Sequence, residues 1–141
     1  MEPKTFRKEA MKSLTNRTGV YALCDLDGIP IYVGQSTDGI RARVQRYLTS
    51  ARSDIIANRQ IDVWEIAFVM AWPMEVLGRI SVLEDYLFHH FDQQIPLMNG
   101  KIPADPGALE FAVPEVELIA VMAEAEVKKT VKSSAALAAA N

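Results

Sequence analysis

The chain has 141 residues, half of them hydrophobic and 23% charged, an ordinary globular composition for one domain with a single core. No apolar run approaches the ~20 residues of a membrane span, and the charged start Met1 to Lys8 has no apolar segment behind it to make a signal peptide. One cysteine, Cys24, excludes an internal disulfide and a cysteine-based zinc cluster, so the expectation is a soluble cytoplasmic protein with no membrane partner.

The net charge of −3 is unevenly spread. Residues 1–52 carry nine Lys or Arg against five acids, and the remaining residues carry six against thirteen. A positive half beside an acidic remainder is compatible with one face meeting phosphates, although charge alone favours ordinary scatter on a solvated surface.

Pro3, with Phe6, Ala10, Met11 and Leu14 on one side, predicts a helix over 3–14, broken by Asn16-Arg17-Thr18. Gly19 to about Asp25 and Ile29 to Gly34 read as two strands, and the Asp27-Gly28 step between them favours a hairpin. Gln35 to Gly39 is polar and turn-rich. There Thr37 or Asp38 is placed to cap a helix from Ile40 to about Ser50, apolar at Ile40, Val44, Tyr47 and Leu48. Residues 51–60 are a polar connection with a turn of helix around Ile55-Ile56. Val63 to Met70, rich in β-branched and aromatic residues, is expected as a third strand covered on both faces. Pro73 opens a long helix, Met74 to about Phe91, with Leu77, Ile80, Leu83, Leu87, Phe88 and Phe91 at helical spacing. After a loop, Pro114 starts a last helix, Glu115 to about Val131, followed by an Ala-rich tail. The expected fold is α+β: a small three-stranded antiparallel sheet flanked by helices, with an additional C-terminal helix.

Tyr21 sits near the start of the first strand and Tyr32 near the end of the second, so a hairpin brings the two phenols together. Cross-strand aromatic packing accounts for such a pair, and two hydroxyls beside a strand-to-helix turn also make a site. Arg43 and Tyr47, four apart, share a helix face, and Arg43 is either a surface cation or a fork for phosphate. Glu84 lies in a mostly apolar stripe with Leu77, Ile80, Ser81, Phe88 and Phe91. It is either an edge carboxylate paired with an Arg or a desolvated group serving as metal ligand or general base. A lone inward carboxylate suits Mg²⁺, which keeps most of its own waters. His89-His90 are adjacent and point to different sides, a poor metal pair.

Gly19-Val20-Tyr21, Tyr32-Val33-Gly34, then Arg43, Tyr47, Glu84 and Asn99 in that order resemble the GIY-YIG nuclease family, with Val for Ile in each tripeptide. The resemblance covers roughly residues 18–100, which it makes the catalytic domain. Residues 1–17 are then an N-terminal helical extension, and 101–141 a loop, acidic helix and tail. It implies that Tyr21 and Tyr32 flank the attacking water, one of them as general base or positioner, and that Arg43 neutralises the scissile phosphate. Glu84 holds a single Mg²⁺ or Mn²⁺ at the leaving oxygen, Tyr47 supports nucleophile or phosphate, and Gly34, Gln35, Arg41 and Arg46 face the DNA. Gly19 and Asn99 give structural support. The tyrosines are expected to point to the same side as Glu84; if a structure shows them on opposite faces, the nuclease reading falls.

Two departures stand out: Gln35 replaces the Lys many members carry after the second Gly, and the segment to Arg43 is about one residue longer. Glu115, Glu117, Glu124 and Glu126 would repel phosphates, so the expected last helix is a dimerisation or partner-protein element rather than a DNA reader. The function expected is a metal-dependent DNA endonuclease. The rivals are a non-catalytic nucleic-acid-binding or interaction module with the same fold, and a nuclease subunit that needs a partner for targeting.

Overall fold

In the computed structural model the described residues are 2–49, 55–56, 59–60, 63–92 and 105–128. Helix α1 (Pro3–Met11) leads into β1 (Gly19–Cys24) and β2 (Pro30–Ser36), followed by α2 (Ile40–Thr49). A minimal hairpin, β3 (Ile55–Ile56) with β4 (Arg59–Gln60), replaces the helical turn expected there. Strand β5 (Phe68–Pro73), helix α3 (Leu77–Asp92) and strand β6 (Glu117–Ala120) complete the order.

The main sheet is antiparallel and has four strands, in the order β2-β1-β5-β6. The expected three strands are all present, and the fourth is where a helix was expected. Residues 117–120 alternate half-buried Glu117 and Ile119 with exposed Leu118 and Ala120 and pair with Ala71 back to Phe68. That period of two, offered a free edge on β5, wins over the helical spacing of Val116, Ile119, Ala120 and Ala123. Among the described residues helix appears here only at 124–128, so the helical dimerisation element is not formed as expected.

The third strand is also displaced. Val63–Glu65 is a single 3₁₀ turn, and the strand runs Phe68–Pro73. Pro73 therefore ends a strand, opposite Gly19, rather than opening the helix, a position where a missing N–H costs the ladder little.

Strand parity puts Tyr21, Leu23, Val69 and Ala71 on one face, packed against Met11 and Leu14 and against Ile40, Val44 and Leu48 of α2. Val20, Ala22, Val33 and Trp72 face the other way, against Ile80, Leu83, Leu87 and Phe88 of α3. The sheet is thus a filled layer between α1 and α2 on one side and α3 on the other. Arg7 on α1 is 2% exposed and donates to the carbonyls of Val63 (2.8 Å), Ile66 (2.6 Å) and Val121 (3.3 Å), its guanidinium 4.1 Å from the Trp64 ring centre. One buried cation therefore joins α1, the 3₁₀ turn and the end of β6. No helix among the described residues is long and apolar enough to cross a membrane.

Candidate functional site

The hairpin register places Tyr21 opposite Gly34 and Leu23 opposite Tyr32, so both tyrosines rise from the same face toward α2. Tyr47 descends from α2 onto them. The three rings form a triangle, with centroids 6.2 Å (Tyr21–Tyr32), 6.5 Å (Tyr21–Tyr47) and 6.0 Å (Tyr32–Tyr47) apart. Gly34 makes this arrangement possible. A Cβ there would lie 2.5 Å from the Tyr21 hydroxyl oxygen and 2.9 Å from Cε1 of Tyr32. Its role is to give the rings room. Gly19 is held for a similar reason at the start of β1: at φ +150°, a Cβ would run into the Trp72 carbonyl oxygen and the Met74 nitrogen.

Arg43, exposed on α2, puts its guanidinium carbon 6.0 Å from the Tyr47 ring centre and is in hydrogen-bonding contact with Tyr21. Arg46, also exposed, is one turn further along the same helix. The cluster is therefore three phenols in tilted and edge-on contact with the Arg43 guanidinium at the rim. Burial drives the Tyr21 hydroxyl far above its ordinary pKa, the neighbouring Tyr32 and Tyr47 adding to the rise and Arg43 opposing it. Tyr32 is also raised, first by burial, then by Tyr47, and further by the negative charge of Glu84. Both hydroxyls stay protonated at neutral pH.

Glu84 corrects one expectation. Its helix packs on the face opposite the tyrosines, so the two sets of residues stand on elements across the sheet from each other. The groups nonetheless approach: β2 is an edge strand contacted by α3, and the Glu84 carboxylate is near enough to act on Tyr32 by charge. The one-face expectation, and the nuclease reading as it was tied to that face, therefore fail; what the structure offers instead is a candidate site that wraps the β2 edge. Glu84 is half-buried and no Lys or Arg ion-pairs with it among the described residues. Burial, with the adjacent Asp85 charge, pushes its pKa up to about 7. No group of three or more His, Cys, Asp or Glu gathers for a metal among the described residues. A site built on Glu84 would supply one carboxylate, a donor set that fits Mg²⁺ or Mn²⁺ only with most ligands from water and substrate.

Two residues expected to face DNA do other things. Arg41 donates to the carbonyls of Leu14 (2.7 Å) and Lys12 (3.2 Å), strapping α2 to the end of α1. Gln35 lies on the α3 side of β2, opposite Val20, and accepts a hydrogen bond from Ser81 (3.3 Å). Asn99 falls outside the described residues. The helix cap expected from Thr37 or Asp38 comes instead from residues 15–17. The Ile40 and Arg41 amides donate to the Arg17 and Thr15 carbonyls, and the Ala42 amide donates to Oδ1 of Asn16 (3.1 Å). Asn16 reads in sequence as a helix breaker, and its partner is 26 residues away, beyond any local signal. Cys24 is buried, its thiol pushed up to about 12, and is chemically quiet. A cavity of about 570 Å³ lined by Glu2, Pro3, Lys4, Trp64, Met122 and Glu126 shares no residue with the tyrosine cluster.

No protein-family model matches the chain, and no curated protein is significantly similar to it in sequence.

Proposed function

We propose that the chain is a metal-dependent DNA endonuclease of the GIY-YIG type, hydrolysing a backbone phosphodiester. The observation that carries the reading is the convergence of Tyr21, Tyr32, Tyr47 and Arg43 at the β2 edge, with the Glu84 carboxylate close enough to perturb Tyr32. Structural packing alone does not call for a half-buried carboxylate near Tyr32 with no Lys or Arg ion-paired to it among the described residues.

In this reading Arg43 forks onto the scissile phosphate, and Arg46, one turn away, takes the next phosphate along the strand. Charge developing on the phosphate in the transition state meets a guanidinium already braced by Tyr21 and Tyr47, so little reorganisation is needed when the bond breaks. Because Tyr21 and Tyr32 are protonated at neutral pH, they orient the attacking water by hydrogen bonding and do not start as phenolate bases. Glu84 would hold Mg²⁺ or Mn²⁺, which supplies charge stabilisation at the leaving oxygen.

The test is a cleavage panel of duplex, flap, branched and single-stranded DNA with Mg²⁺ or Mn²⁺. The wild type should cut at least one member, and Arg43→Ala should lose about a hundredfold or more in rate. Failure of the wild type on every member ends the enzyme reading.

A second reading, a nucleic-acid-binding module without cleavage, is favoured by the same correction that moved Glu84: its helix sits across the sheet from the tyrosines and offers a single carboxylate. Calorimetry separates the two. DNA affinity without any Mg²⁺ binding at millimolar concentration selects the binder. A nuclease subunit that relies on a partner for targeting would cut only in the complex.

A further inference from the structure

Strand β2 presents two faces to two tasks. Tyr32 and Gly34 belong to the tyrosine face, while Val33 and Gln35 belong to the face covered by α3. Gln35 therefore faces α3, the side of the sheet opposite the helix that carries Arg43. Its Oε1 accepts a hydrogen bond from the hydroxyl of Ser81 on α3, and Ser81 is three residues before Glu84, the spacing that puts two side chains on one helix face. The pair lies at the exposed rim, where β2 and α3 meet beside the buried contacts of Val33 with the α3 stripe.

We infer that Gln35 and Ser81 are positioning residues: their hydrogen bond fixes the helix turn that carries Glu84 against the edge strand that carries Tyr32. This rests on the proposed nuclease reading, in which Glu84 and Tyr32 must hold a set separation although their elements lie on opposite faces. Apolar packing of α3 onto the sheet sets the distance between the layers but lets the helix slide and roll. A polar tie at the rim, one turn from the carboxylate, removes that freedom where the site needs it. Gln35 accordingly touches no DNA.

The experiment uses Gln35→Ala, Ser81→Ala and the double variant of the full chain, beside Glu84→Ala. Mn²⁺ binding is read from the free-ion electron paramagnetic resonance signal, and metal-free DNA affinity from fluorescence anisotropy across a salt series. Each single variant should weaken Mn²⁺ binding about twofold, the low end for one net hydrogen bond, as suits a 3.3 Å contact at an exposed rim. The double variant should lose no more than either single, and DNA affinity and its salt slope should not move. Additive losses, or no loss in either single, overturn the inference. So does a fall in DNA affinity for Gln35→Ala that Ser81→Ala does not share, which would make Gln35 a substrate contact. If Glu84→Ala binds Mn²⁺ as the wild type does, the metal reading itself has failed. If Glu84→Ala alone loses Mn²⁺, only the positioning inference has.

Discussion

Gly34→Ala is the sharpest single-atom perturbation of the tyrosine cluster. The added methyl would lie 2.5 Å from the Tyr21 hydroxyl oxygen, 2.6 Å from its Cζ and 2.9 Å from Cε1 of Tyr32. Tyr21 is 1% exposed and packed on α2 and its own sheet face, so its ring has no vacant space to enter. Overpacking of this kind costs about 1–3 kcal/mol. For a chain of this size that corresponds to roughly 4–12 °C in melting temperature, at about 4 °C per kcal/mol. Thermal unfolding followed by circular dichroism measures it, with the near-ultraviolet tyrosine signal reporting whether the triangle has opened. Gly78→Ala is the control: nothing lies within 4 Å of its added methyl and it sits in α3, so it should hold or gain up to about 0.5 kcal/mol. Equal melting of Gly34→Ala and wild type, with an unchanged tyrosine signal, would refute the claim that the rings rest over β2.

Glu84 gives a pH signature of unusual sign. Its folded pKa of about 7 lies above the ordinary 4.5, so as pH rises the unfolded chain releases the proton first. The related stability is full below about pH 4.5 and is lost between there and 7. Glu84→Gln should therefore gain on the order of 1 kcal/mol at pH 8, discounted for half exposure, and nothing at pH 4; chemical denaturation at both pH values reads it, and an equal gain at both would contradict the burial argument. If ionised Glu84 holds the metal, cleavage at low Mg²⁺ should rise with pH through about 7, and the inflection should move down as Mg²⁺ is raised. Arg41→Ala should lower the melting temperature and leave metal-free DNA affinity unchanged, because its donors go to Leu14 and Lys12; a loss of affinity with intact stability would return Arg41 to the DNA surface. Arg7→Ala, which strips the Val63, Ile66 and Val121 carbonyls of a buried donor, should cost about 3 kcal/mol in denaturant titration.

The local chemistry of the fold was readable in the sequence, and its long-range pairings were not. The Asp27-Gly28 step, the helical stripe of α3 and the β-branched run near Val69 each signal their element within a few residues, and the hairpin register then follows and brings Tyr21 beside Tyr32. Strand β6 was hidden because Val116, Ile119 and Ala120 fit a helical period, whereas the strand that forms half-buries Glu117 with Ile119 and exposes Leu118 and Ala120. Only the free edge of β5, about 50 residues earlier, decides between them. The same limit applies to the site. Tyr47 and Arg43 fall together by helix spacing, but which face Glu84 and Gln35 take depends on strand parity combined with the side on which α3 returns. Composition and periodicity do not carry that information.

In the proposed function, Glu84 and the tyrosine–arginine cluster form one metal-dependent site around the β2 edge. Single-turnover cleavage of the best DNA substrate, titrated with Mg²⁺ for wild type and Glu84→Ala, tests it most directly. The expected result is saturable, Mg²⁺-dependent cutting by the wild type and a rate at background for Glu84→Ala across the titration, with metal-free DNA affinity equal in the two. Matching cleavage curves for the two proteins, or no cutting by either, would contradict it.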